Sequence, residues 1–139
     1  MIVIADTGAM YALLDADEAN HSSMVRVFEK HRAGWIVPGA TLPELDYLTA
    51  TRLGSAAQDA LLVSLAAGTF NVAWHGDDDL ASASRIHRRY LSLRLGLVDA
   101  LIMATAERLN AGAIATLDLR HFGSVALAGS PRLLPRDFE

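Results

Sequence analysis

Ile2-Val3-Ile4-Ala5-Asp6-Thr7-Gly8-Ala9 is the stretch whose reading decides the fold. Four apolar residues run without a polar interruption and stop at an acid. A run this short, β-branched and free of alternation is what a strand buried on both faces looks like, and parallel sheets are built of such strands. The apolar segment Ala9–Leu14 then reads as a short helix. A strand passing at once into a helix is the first half of a βαβ unit.

Outward from this stretch the pattern repeats. Asn20 can cap a helix from His21 to about His31, with Met24, Val25 and Phe28 on one face. Trp35–Val37 reads as a second strand, stopped by Pro38-Gly39. Thr41 is expected to be an N-cap, with Pro43 in the first turn and Leu42, Leu45 and Leu48 as the helical stripe. Ser55–Ala66 is a further helix, closed by Gly68, and Phe70–Trp74 a third strand. Asp77-Asp78-Asp79 opens a helix with a basic far end, and both ends suit the helix dipole. Val98–Asn110 places Val98, Leu101, Ile102, Thr105, Ala106 and Leu109 at core spacing. Ala113–Thr116 is a fourth strand, and Val125–Leu127 is expected to be a fifth, at an edge. The fold class is therefore α/β: three layers, α/β/α, around a parallel sheet of four to five strands, as one domain over residues 1–139.

Composition narrows the chemistry. Hydrophobic residues make up 52% of the 139, enough for a core without disulfides or a structural metal. There is no cysteine, which removes thiol nucleophiles, Cys-ligated zinc and iron–sulfur sites and fits a reducing cytoplasm. No export signal or membrane-spanning run is read, so a cytoplasmic location is expected. The net charge of −4 argues weakly against a nucleic-acid partner, but four of the twelve basic residues cluster as Arg85, Arg88, Arg89 and Arg94.

In open parallel sheets ligands bind beyond the carboxyl ends of the strands, so the acids there matter most. Asp6 follows the first strand and Asp118 the fourth. Glu44 and Asp99 lie in the first turns of helices that start at that same edge. Each alone could be a cap or a dipole partner. Four at one edge, with none comparably placed at the other, point to a common purpose. Two carboxylates ~4 Å apart repel by about 4 kcal/mol at an effective dielectric near 20, so a fold that gathers them needs a neutralising cation. With no Cys and no paired His spacing, oxygen-seeking Mg²⁺ or Mn²⁺ is expected over Zn²⁺.

At these residues the chain resembles a known family. Asp6-Thr7-Gly8-Ala9 ahead of Leu13-Leu14, Pro43-Glu44-Leu45, Gly96-Leu97-Val98-Asp99-Ala100 leading into Ile102–Glu107, and Thr116-Leu117-Asp118 with Phe122 resemble the PIN-domain nucleases, and most of all the VapC-type toxins of toxin–antitoxin pairs. The resemblance implies a parallel sheet with flanking helices and an acidic pocket that binds Mg²⁺ or Mn²⁺ and hydrolyses RNA. It implies Asp6, Glu44, Asp99 and Asp118 as the metal and catalytic residues, with Thr7 and Thr116 as hydroxyls beside the metal. It also implies a homodimer and silencing by a cognate antitoxin protein.

Polar and aromatic residues outside these motifs have simpler readings. Asp77-Asp78-Asp79 is read as capping, because successive helical residues diverge. Asp46 should face away from Glu44. His121, close after Asp118, is read as an exposed loop residue, and Tyr47 and Trp74 as core. Arg85, Arg88 and Arg89 are either a solvated face or an RNA phosphate strip. A housekeeping RNA-processing nuclease or a non-catalytic binding module on the same fold are the alternatives. A phosphoryl-acceptor domain would want a Lys near the pocket, and the only Lys is Lys30, in a helix away from that edge. A phosphatase would want a second acid two residues after Asp6, where Gly8 stands.

Overall fold

A computed structural model describes residues 1–138. Five strands form one sheet: β1 (Val3–Ala5), β2 (Trp35–Pro38), β3 (Asn71–Ala73), β4 (Ala113–Ala115) and β5 (Arg132–Leu134). The helices are α1 (Thr7–Leu14), α2 (His21–His31), α3 (Leu42–Leu53), α4 (Ser55–Ala66), α5 (Asp77–Arg89), α6 (Gly96–Arg108) and the single turn α7 (Leu119–Phe122). All strand pairs are parallel, in the order β3-β2-β1-β4-β5. This is the three-layer α/β/α class expected from the short apolar runs.

β1 is central because it has no polar side chain to keep wet on either face. Val3 pairs with Trp35 and Ala113, and Ile4 with Ile36 and Ile114. Alternate residues point to opposite faces. Val3, Ala5, Trp35, Val37, Ala113 and Ala115 meet Met10, Met24, Val27, Leu45 and Leu61 from α1 to α4. Ile4, Ile114 and Leu133 meet Ile86 of α5 and Ile102 and Met103 of α6. Trp35 is the largest buried side chain; its Nε1 donates to Met10 Sδ at 3.3 Å and its ring meets Phe28 edge-on at 5.2 Å. Each fully buried side chain of this size stabilises by about 1.5–3 kcal/mol.

The chain winds from β1 through β2 to β3 in one direction, then crosses back to lay β4 and β5 on the other side of β1. The winding therefore reverses between β1 and β4, and a crevice opens at their carboxyl ends. Tight turns bring the helices in: Gly54, at φ +96°, joins α3 to α4 in a conformation that side chains with a Cβ avoid.

Several expected details are corrected. The fifth strand is Arg132–Leu134, not Val125–Leu127. Val125 and Leu127 do pack on the α6-side core, but from a loop; backbone pairing with β4 goes to the segment that returns after the turn at Gly129-Ser130. The third strand stops at Ala73, and Trp74 is 70% exposed, not core; Tyr47 is likewise exposed. Asn20 and Thr41 do stand at the N-caps of α2 and α3, but neither makes a side-chain cap bond; the Thr41 hydroxyl donates instead to Pro38 O at 2.8 Å. Of the four clustered arginines, Arg94 stands apart: the basic helix ends at Arg89, and Arg94 follows the 3-10 turn Leu91–Leu93 with φ +51°.

Asp79 is also more than dipole complement. It is 2% exposed. Arg108 of α6 donates to its two oxygens at 2.8 and 3.1 Å, and His75 Nδ1 lies 3.1 Å from Oδ2. His75 Nε2 in turn accepts from Ala40 N at 3.0 Å, so Nδ1 carries the hydrogen. Burial raises the Asp79 carboxyl, but Arg108 and His75 outweigh it and leave it below the usual carboxylate range.

Candidate active site

The crevice at the winding reversal holds a cavity of about 340 Å³ lined by Asp6, Glu44, Asp99 and Asp118 with Thr7, Gly8 and Leu117. All four acids read from the sequence are thus brought to one place. A second cavity, between α5 and α6, is largely apolar and has no carboxylate in its wall.

Asp6 stands at the N-cap of α1 because β1 ends there and the chain turns straight into helix. Its Oδ1 accepts from Ala9 N at 2.7 Å. Its Oδ2 accepts from the Thr116 hydroxyl, whose oxygen also accepts from Asp118 N at 2.9 Å. Thr116 therefore ties the end of β1 to the loop after β4. Thr7 Oγ1 donates to Glu44 Oε1 at 2.6 Å, tying α1 to α3. The two hydroxyls orient carboxylates, a role their proximity in sequence to the acids makes intelligible.

Asp118 caps α7, accepting from His121 N at 3.0 Å. One turn on, His121 points back: its Nδ1 lies 2.7 Å from Asp99 Oδ2 and 3.3 Å from Asp118 Oδ2. Asp99, Asp118 and His121 offer donor atoms that all lie within 4.8 Å of one another. His121 is therefore a member of the site, not an exposed loop residue. The signal was its i, i+3 spacing from Asp118, which puts both on one face of even a single turn.

The electrostatics follow from burial. Asp6 is 6% exposed, and desolvation pushes its carboxyl up to about 7 against the hydrogen bonds from Thr116 and Ala9, with Asp99 and Asp118 adding repulsion. Burial also raises Asp99; the His121 hydrogen bond and charge oppose this, while Asp118 and Glu44 add to it. The pocket is thus short of positive charge at its deepest point. A cation placed among these oxygens would relieve both the desolvation and the mutual repulsion.

The arginines do not line this cavity. Arg88 and Arg89 are exposed at the end of α5, and Arg85 lies 3.8 Å from Glu107. The end of α5 does border the start of α6, since His87 shares a cavity wall with Gly96 and Leu97.

The PIN domain profile matches residues 3–127. Ribonuclease VapC26 of Mycobacterium tuberculosis is 35% identical over 130 residues, covering 94% of this chain and 96% of that protein. Among solved structures, VapC20 of Mycobacterium tuberculosis, described as a sarcin-ricin loop cleaving toxin, superposes with a TM-score of 0.77 at 19% identity, covering 89% of this chain and 96% of that one. A DNA-bound VapBC from Salmonella typhimurium superposes with a TM-score of 0.72 at 16% identity, covering 96% of both. At such identity the structural likeness speaks for the fold, and the profile, which runs from the first residue of β1 past the last of the four acids, speaks for descent. The chain belongs to the PIN domain family.

Proposed function

We propose that the protein is a metal-dependent endoribonuclease, the toxin of a toxin–antitoxin pair, working through Asp6, Glu44, Asp99 and Asp118. The observation that carries this reading is the convergence of the four carboxylates on one cavity at the carboxyl edge of the sheet. The ribonuclease relative and the VapBC neighbour support it. The donor set is carboxylate oxygen with one imidazole beside it, which fits a hard divalent cation, Mg²⁺ or Mn²⁺. When bound, such a cation supplies a water activated for attack and shields the phosphodiester's charge.

The chain's own residues prepare the site. Thr116 holds Asp6 in place and links it to Asp118; Thr7 holds Glu44. His121 donates its Nδ1 hydrogen between Asp99 and Asp118, keeping two like charges together in the metal-free chain. Arg88 and Arg89, on the exposed end of α5, would give the polyanionic substrate the attraction that an acidic pocket cannot. A homodimer and a cognate antitoxin complete the reading.

The test is cleavage of RNA by the purified protein with Mg²⁺, with Mn²⁺ and with excess chelator, beside Asp6→Asn and Asp99→Asn. Each variant removes one ligand charge and little volume. Cleavage should need the metal and fall by at least about a hundredfold in either variant, roughly the loss seen when one electrostatic contributor is removed. Full-rate cleavage in chelator would refute the metal; full-rate cleavage by both variants would refute the site.

A further inference from the structure

Beyond the acidic pocket, on the β5 side of Leu117, lies a further cavity of about 320 Å³ lined by Asn20, Thr116, Leu117, Leu119, Pro135 and Arg136. It adjoins the first: Leu117 lines both, and Thr116 is the residue that holds Asp6. Its walls divide into two kinds. Leu117, Leu119 and Pro135 are apolar, and Leu119 is 43% exposed. Arg136 is cationic, and Asn20 is an amide whose Nδ2 donates to Glu18 Oε1 at 3.3 Å.

Arg136 is held in one orientation. Its Nε and Nη2 donate to the two oxygens of Asp137 at 2.8 and 2.9 Å, and Asp137 Oδ2 also accepts from Leu133 N at 2.8 Å. Asp137 is thereby kept ionised, held down to about 2 by Arg136 and by the Leu133 amide. The guanidinium is bound along one edge, and its Nη1 has no partner among the described residues. Arg136 borders this cavity and also the neighbouring one beside Gly123, near which its Nη1 lies. A planar fork clamped along one edge between two cavities is preorganised for an anion. Apolar walls beside it suit the face of a sugar or base.

We propose that this cavity is a nucleotide subsite, in which the Arg136 guanidinium donates to a backbone phosphate of the RNA next to the bond that is cut. The inference rests on the nuclease reading above and adds the path the strand takes away from the acids, across Leu117 toward β5. Arg136 and Pro135 lie after the last residue matched by the PIN domain profile, while Asn20, Thr116, Leu117 and Leu119 lie within it, so the C-terminal segment supplies the cation to a wall the PIN domain builds.

Binding of a short single-stranded RNA of mixed sequence tests it, using the full chain with Asp99→Asn so that the probe is not consumed. Arg136→Gln in that background should weaken binding about tenfold and reduce the salt slope by roughly 0.7. Because this change also bares Asp137, the double variant Arg136→Gln with Asp137→Asn is measured beside it and should bind as weakly as the single. Asp137→Asn alone keeps the cation, with one acceptor oxygen left to orient it, and should bind well above either Arg136 variant. Binding restored to the parent's in the double variant would mean that Arg136 only neutralises Asp137, and would overturn the subsite. Parent-like binding by Arg136→Gln would overturn it as well. Wild-type cleavage with Mn²⁺ is assayed separately: if it proceeds while the variants bind normally, only the subsite fails, and if the parent does not bind RNA and the wild type does not cut it, the nuclease reading fails with it.

Discussion

Asp6 carries opposing demands, being buried like a core residue and charged like a ligand. Its raised carboxyl sets a sign for pH. In the metal-free chain the folded state holds the proton from the unfolded value of 3.8 up to about 7, so stability falls as pH rises through that window. Asp99, also raised, acts in the same direction. Melting of the metal-free protein should therefore drop between about pH 4 and pH 7, and Asp6→Asn should flatten the drop; a melting temperature that climbs over this range in the wild type would contradict the burial argument. Asp79 has the opposite sign, since its stabilisation is present above its unfolded value and lost as pH falls through its lowered one. Here the two partners are not equivalent. Arg108→Ala would leave a buried carboxylate with His75 alone, which for a buried pair costs about 3–5 kcal/mol, less here because the Arg108 side chain is 42% exposed. A fall in melting temperature on the order of 10 °C is expected, against a smaller one for Asp79→Asn, whose freed arginine can turn to water. Equal losses from the two variants would show that packing, not charge, is what Asp79 contributes.

The elements are legible in the sequence to the degree that their side chains, rather than their neighbours, decide them. β1 and α6 can be read because an unbroken apolar run and a sustained helical stripe each have few other uses. The four acids can be read because strand ends and first helical turns have known places at the sheet edge. β5 cannot: Val125–Leu127 and Arg132–Leu134 are both short and largely apolar, and only the turn between them decides which one reaches β4. His121 and Asp79 are half hidden for another reason: each has a near neighbour at helical spacing, Asp118 and His75, but the partners that complete their sites, Asp99 and Arg108, lie 22 and 29 residues away. α5 offers the test proper to this scale. Arg88→Ala with Arg89→Ala removes two exposed charges and no buried side chain; Arg89 lies over the Tyr90 ring at 5.7 Å, a contact at the surface. If the basic end of the helix meets RNA, binding weakens and the salt slope falls by roughly 0.7 per lost contact, with the cleavage position unchanged. An unchanged slope returns α5 to a solvated surface whose basic end only complements its dipole.

For the whole molecule, a pocket of repelling carboxylates should make folding and metal binding help one another. At a hundredfold excess over its Kd the metal contributes about 2.7 kcal/mol. For a domain of this size that is a rise in melting temperature on the order of 5–15 °C. Asp99→Asn should shrink the rise, and a melting curve unmoved by millimolar Mn²⁺ would count against a shared site. An antitoxin that places an arginine among the acids would compete for the same oxygens, so inhibition and weakened Mn²⁺ affinity should emerge together. A complex that binds Mn²⁺ as well as the free chain does would place inhibition elsewhere. Among the described residues no helix is long and apolar enough to cross a membrane. The order of the sheet bears also on synthesis. β1 is made before the other strands of the sheet, yet Asp6 is held by Thr116, which follows β4, and that strand is made only after three strands and six helices. While the growing polypeptide is tethered to the ribosome without that strand, it carries three of the four acids but no assembled centre. If the acids cut RNA as proposed, that activity can begin only once β4 is in place, and an inhibiting partner has until then to be ready for it.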